Sequence, residues 1–548
     1  MAKRLSGARG ASGRAGLEPL VIRLGGPGMT PLLRAGLGGL AASLRATLLR
    51  RNPASQWPEA VELCGGEARV EATRVTIDWK DAAPEDVLRE LFDESFRVKT
   101  PPGIIDLPGT SDLGRPFDIA LGSVLQTGLR KTFLQHGKTT TKSGPSVALN
   151  VEIDDKQLPV NVQPYSAFIH QTDGYKAVCE GVRRGSVELA GWAYPGAADR
   201  HTGLSGATKC SYGPREALCG CFALVGCLSL EVPRAGGAGI LVIVEPSDLV
   251  RFAVSRPRLT PRRVAEAYVT GPGDAVLGVH LAMRLDEVVD HRPGVAAAHA
   301  VALRTMPWAT QQKTRATTVT VSSIEPARLD LYHEVVRTLP NRVVTRVIDD
   351  DDAAGADGFF AATSALRAFI TENVANGRSW FAGFSRATTG GKRPRFIHYY
   401  RAKDQKNLGA LYPDEREGLV VMLKHLEEAE ALLVRAVHTA LRQRFGAIAD
   451  ESKDAPPQTM KNRFGSERDR WRLAFAGSKT PKQIRGALAD LWSRAGSNKE
   501  LRAHWEAILP LLRAEHWETA RDLALVALAS YQGTAADDEA DDTTATSP

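Results

Sequence analysis

Val147-Ala148-Leu149-Asn150-Val151-Glu152-Ile153, then Asp154-Asp155-Lys156-Gln157, then Leu158-Pro159-Val160-Asn161-Val162, is the passage on which the fold class turns. Val147, Leu149, Val151 and Ile153 alternate with small or polar residues, which is the period of a half-buried strand. The polar turn that follows predicts a hairpin with Leu158–Val162. Upstream, Thr30-Pro31 supplies a capping hydroxyl and a proline at the first helical position. Leu33, Leu37, Leu40, Leu44 and Leu48 then recur at helical spacing, predicting an amphipathic helix. Gly25-Gly26-Pro27-Gly28 lacks the lysine and spacing of a phosphate-binding loop and reads as a turn.

Downstream, Cys221–Val232 and Gly239–Val244 flank the Gly-rich 235–238 turn and predict a second hairpin. Further strands are expected at Thr317–Val321 and Arg342–Ile348, bracketing a helix from Pro326 to Leu339. The pattern then changes. Pro413–Phe445 sets Leu419, Met422, Leu426, Leu433, Val437 and Leu441 on one stripe, predicting a single long helix. After Ala455-Pro456-Pro457, Thr480-Pro481 opens a helix carrying Ile484, Leu488, Leu491 and Trp492 and closed by Gly496. Asn498 opens another with Leu501, Trp505, Ile508 and Leu512. Trp517, Leu523, Ala527 and Tyr531 mark the last. The expected class is α+β: a mixed α/β N-terminal and central region followed by a C-terminal α-helical bundle. The expected division is a basic leader over 1–20, an α+β region over 21–412 with a subdivision near 250–260, a bundle over 413–533, and an acidic tail over 534–548.

The 548 residues carry 70 Lys and Arg against 63 Asp and Glu, a net charge of +7. Acids collect in Asp349–Asp352 and around Asp537–Asp542, so the remainder is more basic than the total and polyanions are the expected partners. No run of about 18 apolar residues is present, which excludes a spanning helix and predicts no membrane partner. The leader has Lys3, Arg4, Arg9 and Arg14 but no apolar h-region, so a disordered arm fits better than a signal peptide and the expected compartment is the cytoplasm. Six cysteines do not make a disulfide scaffold. Cys210, Cys219, Cys221 and Cys227 lack a CxxC knuckle and fit buried core thiols better than a zinc site.

Catalytic signatures are weak. Asp290-His291 reverses the order of a metal-binding HD pair, and His299 does not share a helical face with His291. No serine sits in a GxSxG elbow. No catalytic residue, metal site or cofactor is therefore expected. Basic windows say more. Asn373 to Lys403 holds seven Lys or Arg and no acid, among Trp380, Phe381, Phe384, Phe396, Tyr399 and Tyr400. Arg386, Lys392, Arg393 and Arg395 flank Gly390-Gly391, where a loop can approach a phosphate backbone closely. Arg130, Lys131, Lys138 and Lys142 form a second acid-free window that resembles a flexible finger. Gln312, Lys313 and Arg315 offer amide and cationic groups for base edges or backbone. Lys461 to Arg502 holds eleven Lys or Arg against four acids. Its candidates for a single-strand groove are Lys461, Arg463, Arg468, Arg470, Lys479, Lys482 and Arg485.

Three passages resemble the large subunit of type I CRISPR interference complexes (Cascade), in its Myxan-type branch. They are Gly28-Met29-Thr30-Pro31-Leu32-Leu33-Arg34-Ala35-Gly36-Leu37-Gly38-Gly39-Leu40, then Pro307-Trp308-Ala309-Thr310-Gln311-Gln312-Lys313-Thr314-Arg315 with Leu339-Pro340-Asn341-Arg342, and Arg521–Leu525 through Ala529-Ser530-Tyr531. The resemblance implies a non-catalytic subunit of a crRNA-guided surveillance complex in antiviral defence. Such a subunit contacts the protospacer-adjacent motif, aids duplex opening and stabilises the R-loop. The implied partners are crRNA, target DNA, the backbone, foot and small Cascade subunits, and a recruited helicase-nuclease. Some related systems make a small subunit from an internal start, for which Met422 and Met460 are available. The alternatives are a metal-dependent nuclease assembled from dispersed acids with His291, His299 or His398, and a regulatory scaffold that keeps the fold.

Overall fold

The computed structural model describes residues 17–111, 114–153, 156–189, 193, 210–233, 237–287, 294–308, 311–321, 323–346, 358–388 and 413–532. The chain divides into two compact units. The first is Met1–Ala267 with Ala282–Ser322 and Thr345–Phe360, and the second is Tyr268–Leu281 with Ser323–Val344 and Ala361–Pro548. Strands and helices mix in the first and helices dominate the second, so the α+β class holds.

The first unit is built on α1 (Pro31–Arg51), which Thr30 caps by accepting from the Leu33 amide at 3.4 Å. The expected amphipathic stripe is too narrow a description, because most of the helix is buried on every side. By length and composition α1 could cross a membrane, yet 78% of its most apolar window is enclosed by the protein. Its glycines explain this. A Cβ at Gly36 would stand 1.9 Å from the Cys219 carbonyl oxygen, and one at Gly39 2.3 Å from that of Phe222. Those carbonyls belong to the helix Pro214–Gly226, so the two backbones meet without side chains between them.

Strands β1 (Leu20–Arg23), β2 (Val61–Leu63), β3 (Gly66–Glu71) and β4 (Arg74–Asp78) make an antiparallel sheet in the order β1-β4-β3-β2. Gly25–Gly28 is the expected turn after β1, with Gly28 at φ +80°. After a helix at Pro84–Ser95 and short strands at Arg97–Lys99 and Ile104–Asp106 come α2 (Ile119–Lys131) and β5 (Thr140–Lys142). The opening hairpin is present as β6 (Val147–Ile153) and β7 (Lys156–Val162), with Val147 opposite Val162 and Ile153 opposite Lys156. The strand β8 (Tyr165–Phe168) pairs with β5.

The second expected hairpin is half right. Residues 221–226 end a helix, α3 (Pro214–Gly226), and only β9 (Leu228–Glu231) pairs with β10 (Gly239–Pro246). A short apolar run does not separate strand from buried helix by periodicity, and here helix wins because Pro214 starts it and both faces are covered. The strand β10 also pairs with β11 (Val295–Trp308), and β11 with β12 (Gln311–Val321), completing the antiparallel order β9-β10-β11-β12. Arg256, fully buried, closes the end of α3 by donating to the Val225 and Cys227 carbonyls, each at 2.7 Å. Helix C-terminal carbonyls thus satisfy a cation whose desolvation lowers its pKa to about 10.

The second unit contains α4 (Pro272–Glu287, through Leu281), α5 (Pro326–Thr338) and α6 (Ala365–Ala375), joined by a buried polar network. Arg367 Nη2 and Nε donate to Asp274 Oδ1 at 2.9 and 3.1 Å, Tyr332 donates to the same oxygen at 3.0 Å, and Thr270 occupies Oδ2. The long helix expected over 413–445 is broken. It is α7 (Pro413–Met422), a 3-10 turn at Leu423–His425, and α8 (Glu428–Glu451). Glu427 and Glu430 form a reciprocal capping box that starts α8 independently. The helix α9 (Pro457–Ala476) was not anticipated beyond the Pro456-Pro457 linker. It buries only Glu467, Trp471 and Phe475 and so shows little apolar periodicity. Two of the remaining helices follow the expected caps, α10 (Pro481–Ala495) from Thr480 and α11 (Lys499–Ile508) from Asn498, and α12 (Trp517–Ser530) follows without a side-chain cap.

Candidate nucleic-acid interface

The hairpin β11–β12 outruns its sheet. Ladder pairing of β10 with β11 ends at Gly239 opposite Leu303, whereas β11 and β12 stay paired to Trp308 opposite Gln311. Five further rungs, from Arg304 opposite Arg315 outward, make a two-stranded arm about 17 Å long at the usual rise per residue. From Val295 to Val321 there is no Asp or Glu. Gln312, Lys313 and Arg315 lie on this arm, and so does Arg304, which sequence reasoning missed. The available signal was the absence of acid across both strands, rather than the short Gln-Gln-Lys-Thr-Arg window.

The window Arg130–Lys142 is brought to the root of the same arm. A Cβ at Gly128 would lie 2.3 Å from the Ser229 carbonyl, and Thr132 and Ser229 hydroxyls meet at 2.8 Å, so the end of α2 is seated on β9. A Cβ at Gly239 would stand 2.6 Å from the Lys131 carbonyl. Gly239 is the residue opposite Leu303, which precedes Arg304. The chain beyond is a seated segment and not the flexible finger expected: a 3-10 turn at Gly137–Thr139 leads into β5, held by β8. His136 Nδ1 accepts from the Lys138 amide at 3.2 Å. Arg130, Lys138 and Lys142 are exposed with no carboxylate partner among the described residues. Lys131 instead is committed to Glu231.

In the Asn373–Lys403 window the described part ends at Thr388, and Lys392, Arg393 and Arg395 lie outside the described residues. Trp380, Phe381 and Phe384 are buried core rings, not stacking platforms, while Arg386 is exposed. Asp522 fixes this segment, accepting from the Gly383 amide at 2.7 Å and the Ser385 amide at 3.0 Å.

In the bundle the candidates divide. Arg470 is paired with Asp490 at 3.2 Å, Arg463 donates to the Ser452 hydroxyl at 3.1 Å, and Arg468 lies 5.4 Å from the centre of the Phe445 ring. Lys461, Lys479, Lys482 and Arg485 are exposed with no carboxylate partner among the described residues. Lys461 stands about 22 Å from the C-terminal end of α9, counted as helical rise, and Lys479 lies beyond that end, so these cations do not form one compact patch.

Other titratable groups are engaged structurally. His299 pairs with Glu245, which also holds Arg34 at 3.1 Å, and its Nδ1 lies 3.2 Å from the Thr320 hydroxyl. His291 and His398 lie outside the described residues. Burial pushes the Cys221 and Cys227 thiols up to about 12 and that of Cys219 higher. Among the described residues no three His, Cys, Asp or Glu side chains gather as metal ligands.

Comparison with known proteins adds family to this geometry. Residues 21–221 match the DevT N-terminal domain and residues 423–547 the DevT C-terminal domain. The chain is 51% identical over 518 residues, 94% of its length and 89% of the relative's, to the CRISPR-associated protein Cas8a1/Csx13 of Myxococcus xanthus (strain DK1622). The glycine-packed α1 and the buried Arg521-Asp522 helix, two of the passages that carried the resemblance, fall inside the two matched domains. The chain belongs to the DevT family of CRISPR-associated proteins, the Myxan-type branch of the Cascade large subunits.

Proposed function

We propose that this chain serves a crRNA-guided surveillance complex in antiviral defence as its non-catalytic large subunit. It touches the protospacer-adjacent motif, helps open the target duplex and steadies the R-loop. Its partners in this reading are crRNA, target DNA, the backbone, foot and small subunits, and a recruited helicase-nuclease, all in the cytoplasm. The observation that carries the reading is the acid-free arm of β11 and β12, with the window holding the exposed cations Arg130, Lys138 and Lys142 brought to its root. A two-stranded ribbon fits a duplex groove, and cations without counter-charges fit phosphates. Residues 413–533 are proposed as a small-subunit-like bundle, whose exposed lysines suit the displaced strand.

The test uses the assembled complex with Arg304, Lys313 and Arg315 each replaced by Ala. Affinity for target duplex should fall, and the log–log salt slope should flatten by about 0.9 for each phosphate that is no longer neutralised. Wild-type affinity and slope in all three variants would remove the arm from the interface. A shorter product from Met422 would start at the break between α7 and α8, one residue before the C-terminal family match. Intact mass measurement of the purified complex decides this, since full-length chain alone would exclude it.

A further inference from the structure

Lys479, Lys482 and Arg485 surround the start of α10 on its exposed side, opposite buried Ile484, Leu488 and Leu491. The Arg485 Nε donates to the Pro481 carbonyl at 3.2 Å, and the Lys479 amide donates to Gln483 at 2.7 Å, but no carboxylate among the described residues neutralises the three cations. The same chain contains a counter-charge of matching size. Asp537, Asp538, Glu539, Asp541 and Asp542 are five acids in six residues, and no Lys or Arg follows Arg521.

Where the described chain stops decides whether the two can meet. Tyr531 is buried, its ring 5.5 Å from that of Phe445 and 5.8 Å from that of His438, and its carbonyl accepts from Arg416. At the other end of α12, Arg521 Nη1 donates to the Ser478 carbonyl at 3.4 Å, next to Lys479. Nine residues of helix separate Arg521 from Ser530, about 14 Å. Six residues can span at most about 20 Å, which bounds the reach from Tyr531 to Asp537, and the bound for Asp542 is larger. The acids are therefore within reach of Lys479, Lys482 and Arg485.

We propose that the acidic segment 537–542 docks on the cations at the start of α10 and occupies them as a polyanion mimic until a nucleic-acid strand displaces it. The docking stands on charge and reach alone, whereas the competition rests on the proposed nucleic-acid role of the bundle. Three exposed ion pairs are individually weak and screened by salt, which suits a displaceable occupant.

The test uses the full chain. Zero-length carbodiimide coupling followed by peptide mass spectrometry should join the acids at 537–542 to the amines of Lys479 and Lys482. A full-length variant with D537N, D538N, E539Q, D541N and D542N should bind a single-stranded oligonucleotide roughly tenfold tighter at low salt, with the difference vanishing at high salt. K479A/K482A/R485A should abolish that difference. Coupling of the acids elsewhere overturns the docking, and equal oligonucleotide affinity of wild type and neutralised chain overturns the competition. If neither chain binds oligonucleotide, the nucleic-acid reading of the bundle fails while the coupling map alone judges the docking.

Discussion

Single residues in this chain are mostly committed to holding the scaffold, including those in the passages that carried the family resemblance. The Leu339 carbonyl accepts from Arg367 at 3.5 Å, Asn341 Nδ2 donates to the Tyr268 carbonyl at 2.6 Å, and Asp522 anchors Gly383 and Ser385. These residues therefore serve buried polar contacts within the second unit. Asp274 is the most exacting of them, since its side chain is fully buried beneath Arg367, Tyr332 and Thr270. Asp274→Ala leaves a buried guanidinium without its anion and should cost about 3–5 kcal/mol in urea unfolding. Tyr332→Phe, which removes one donor only, should cost about 1 kcal/mol. His438 gives a pH-dependent case. Burial beneath Ala527 and Ser530 lowers its pKa to about 4 from the ordinary histidine value of 6.5. Between these values the unfolded chain binds the proton and the folded chain does not, so stability rises with pH from about 4 to 6.5 and is fully present above. His438→Gln keeps a donor but cannot titrate, and denaturant titrations from pH 4 to 7 should show a flatter acid limb. An unchanged limb would place the acid sensitivity elsewhere.

At the scale of elements, the close crossing of α1 and α3 rests on glycine. Gly36→Ala puts a Cβ against the Cys219 carbonyl, which is backbone and cannot rotate away. About 1–3 kcal/mol should be lost in denaturant unfolding. Gly486→Ala on α10 meets nothing within 4 Å and should instead gain about 0.5–1 kcal/mol, as a helix-interior glycine replaced in open space. Elements with local signals were legible in the sequence. The β6–β7 hairpin, the Thr30, Thr480 and Asn498 caps and the Gly496 stop each depend on residues within a few positions. Elements decided by their surroundings were not. The run Cys221–Val225 has the apolar content of a strand but lies in a helix covered on both faces. The Leu419–Leu441 stripe is continuous in sequence, yet the Glu427–Glu430 box restarts the chain within it. The helix α9 was hidden for the opposite reason, as only three of its residues are buried. For the candidate interface, sign and density of charge were visible. The convergence of Lys131 with the arm was not, because it depends on Gly239, a residue with no charge to notice.

The whole molecule is assembled from segments that sequence order does not reveal. Tyr268–Leu281 and Ser323–Val344 join Ala361–Pro548 in the second unit, while the stretches between them belong to the first. Each unit has its own buried elements: α1 and α3 with the Phe92, Phe96 and Phe222 rings in one, and α8 and α12 with the Asp274 network in the other. Chains with separate cores commonly depart from a single all-or-none transition. Scanning calorimetry of the free chain should resolve two endotherms. Gly36→Ala should then lower one and Asp274→Ala the other, each leaving its counterpart within about 1 °C, as expected if each unit unfolds on its own. Two histidines offer a second assignment, since burial lowers the pKa of His170 in the first unit to about 3 and that of His438 in the second to about 4. Both endotherms should therefore fall as pH drops from 6.5, and His438→Gln should protect only the one that Asp274→Ala shifts. A single endotherm moved by both variants would mean that the chain unfolds as one cooperative body despite its two cores.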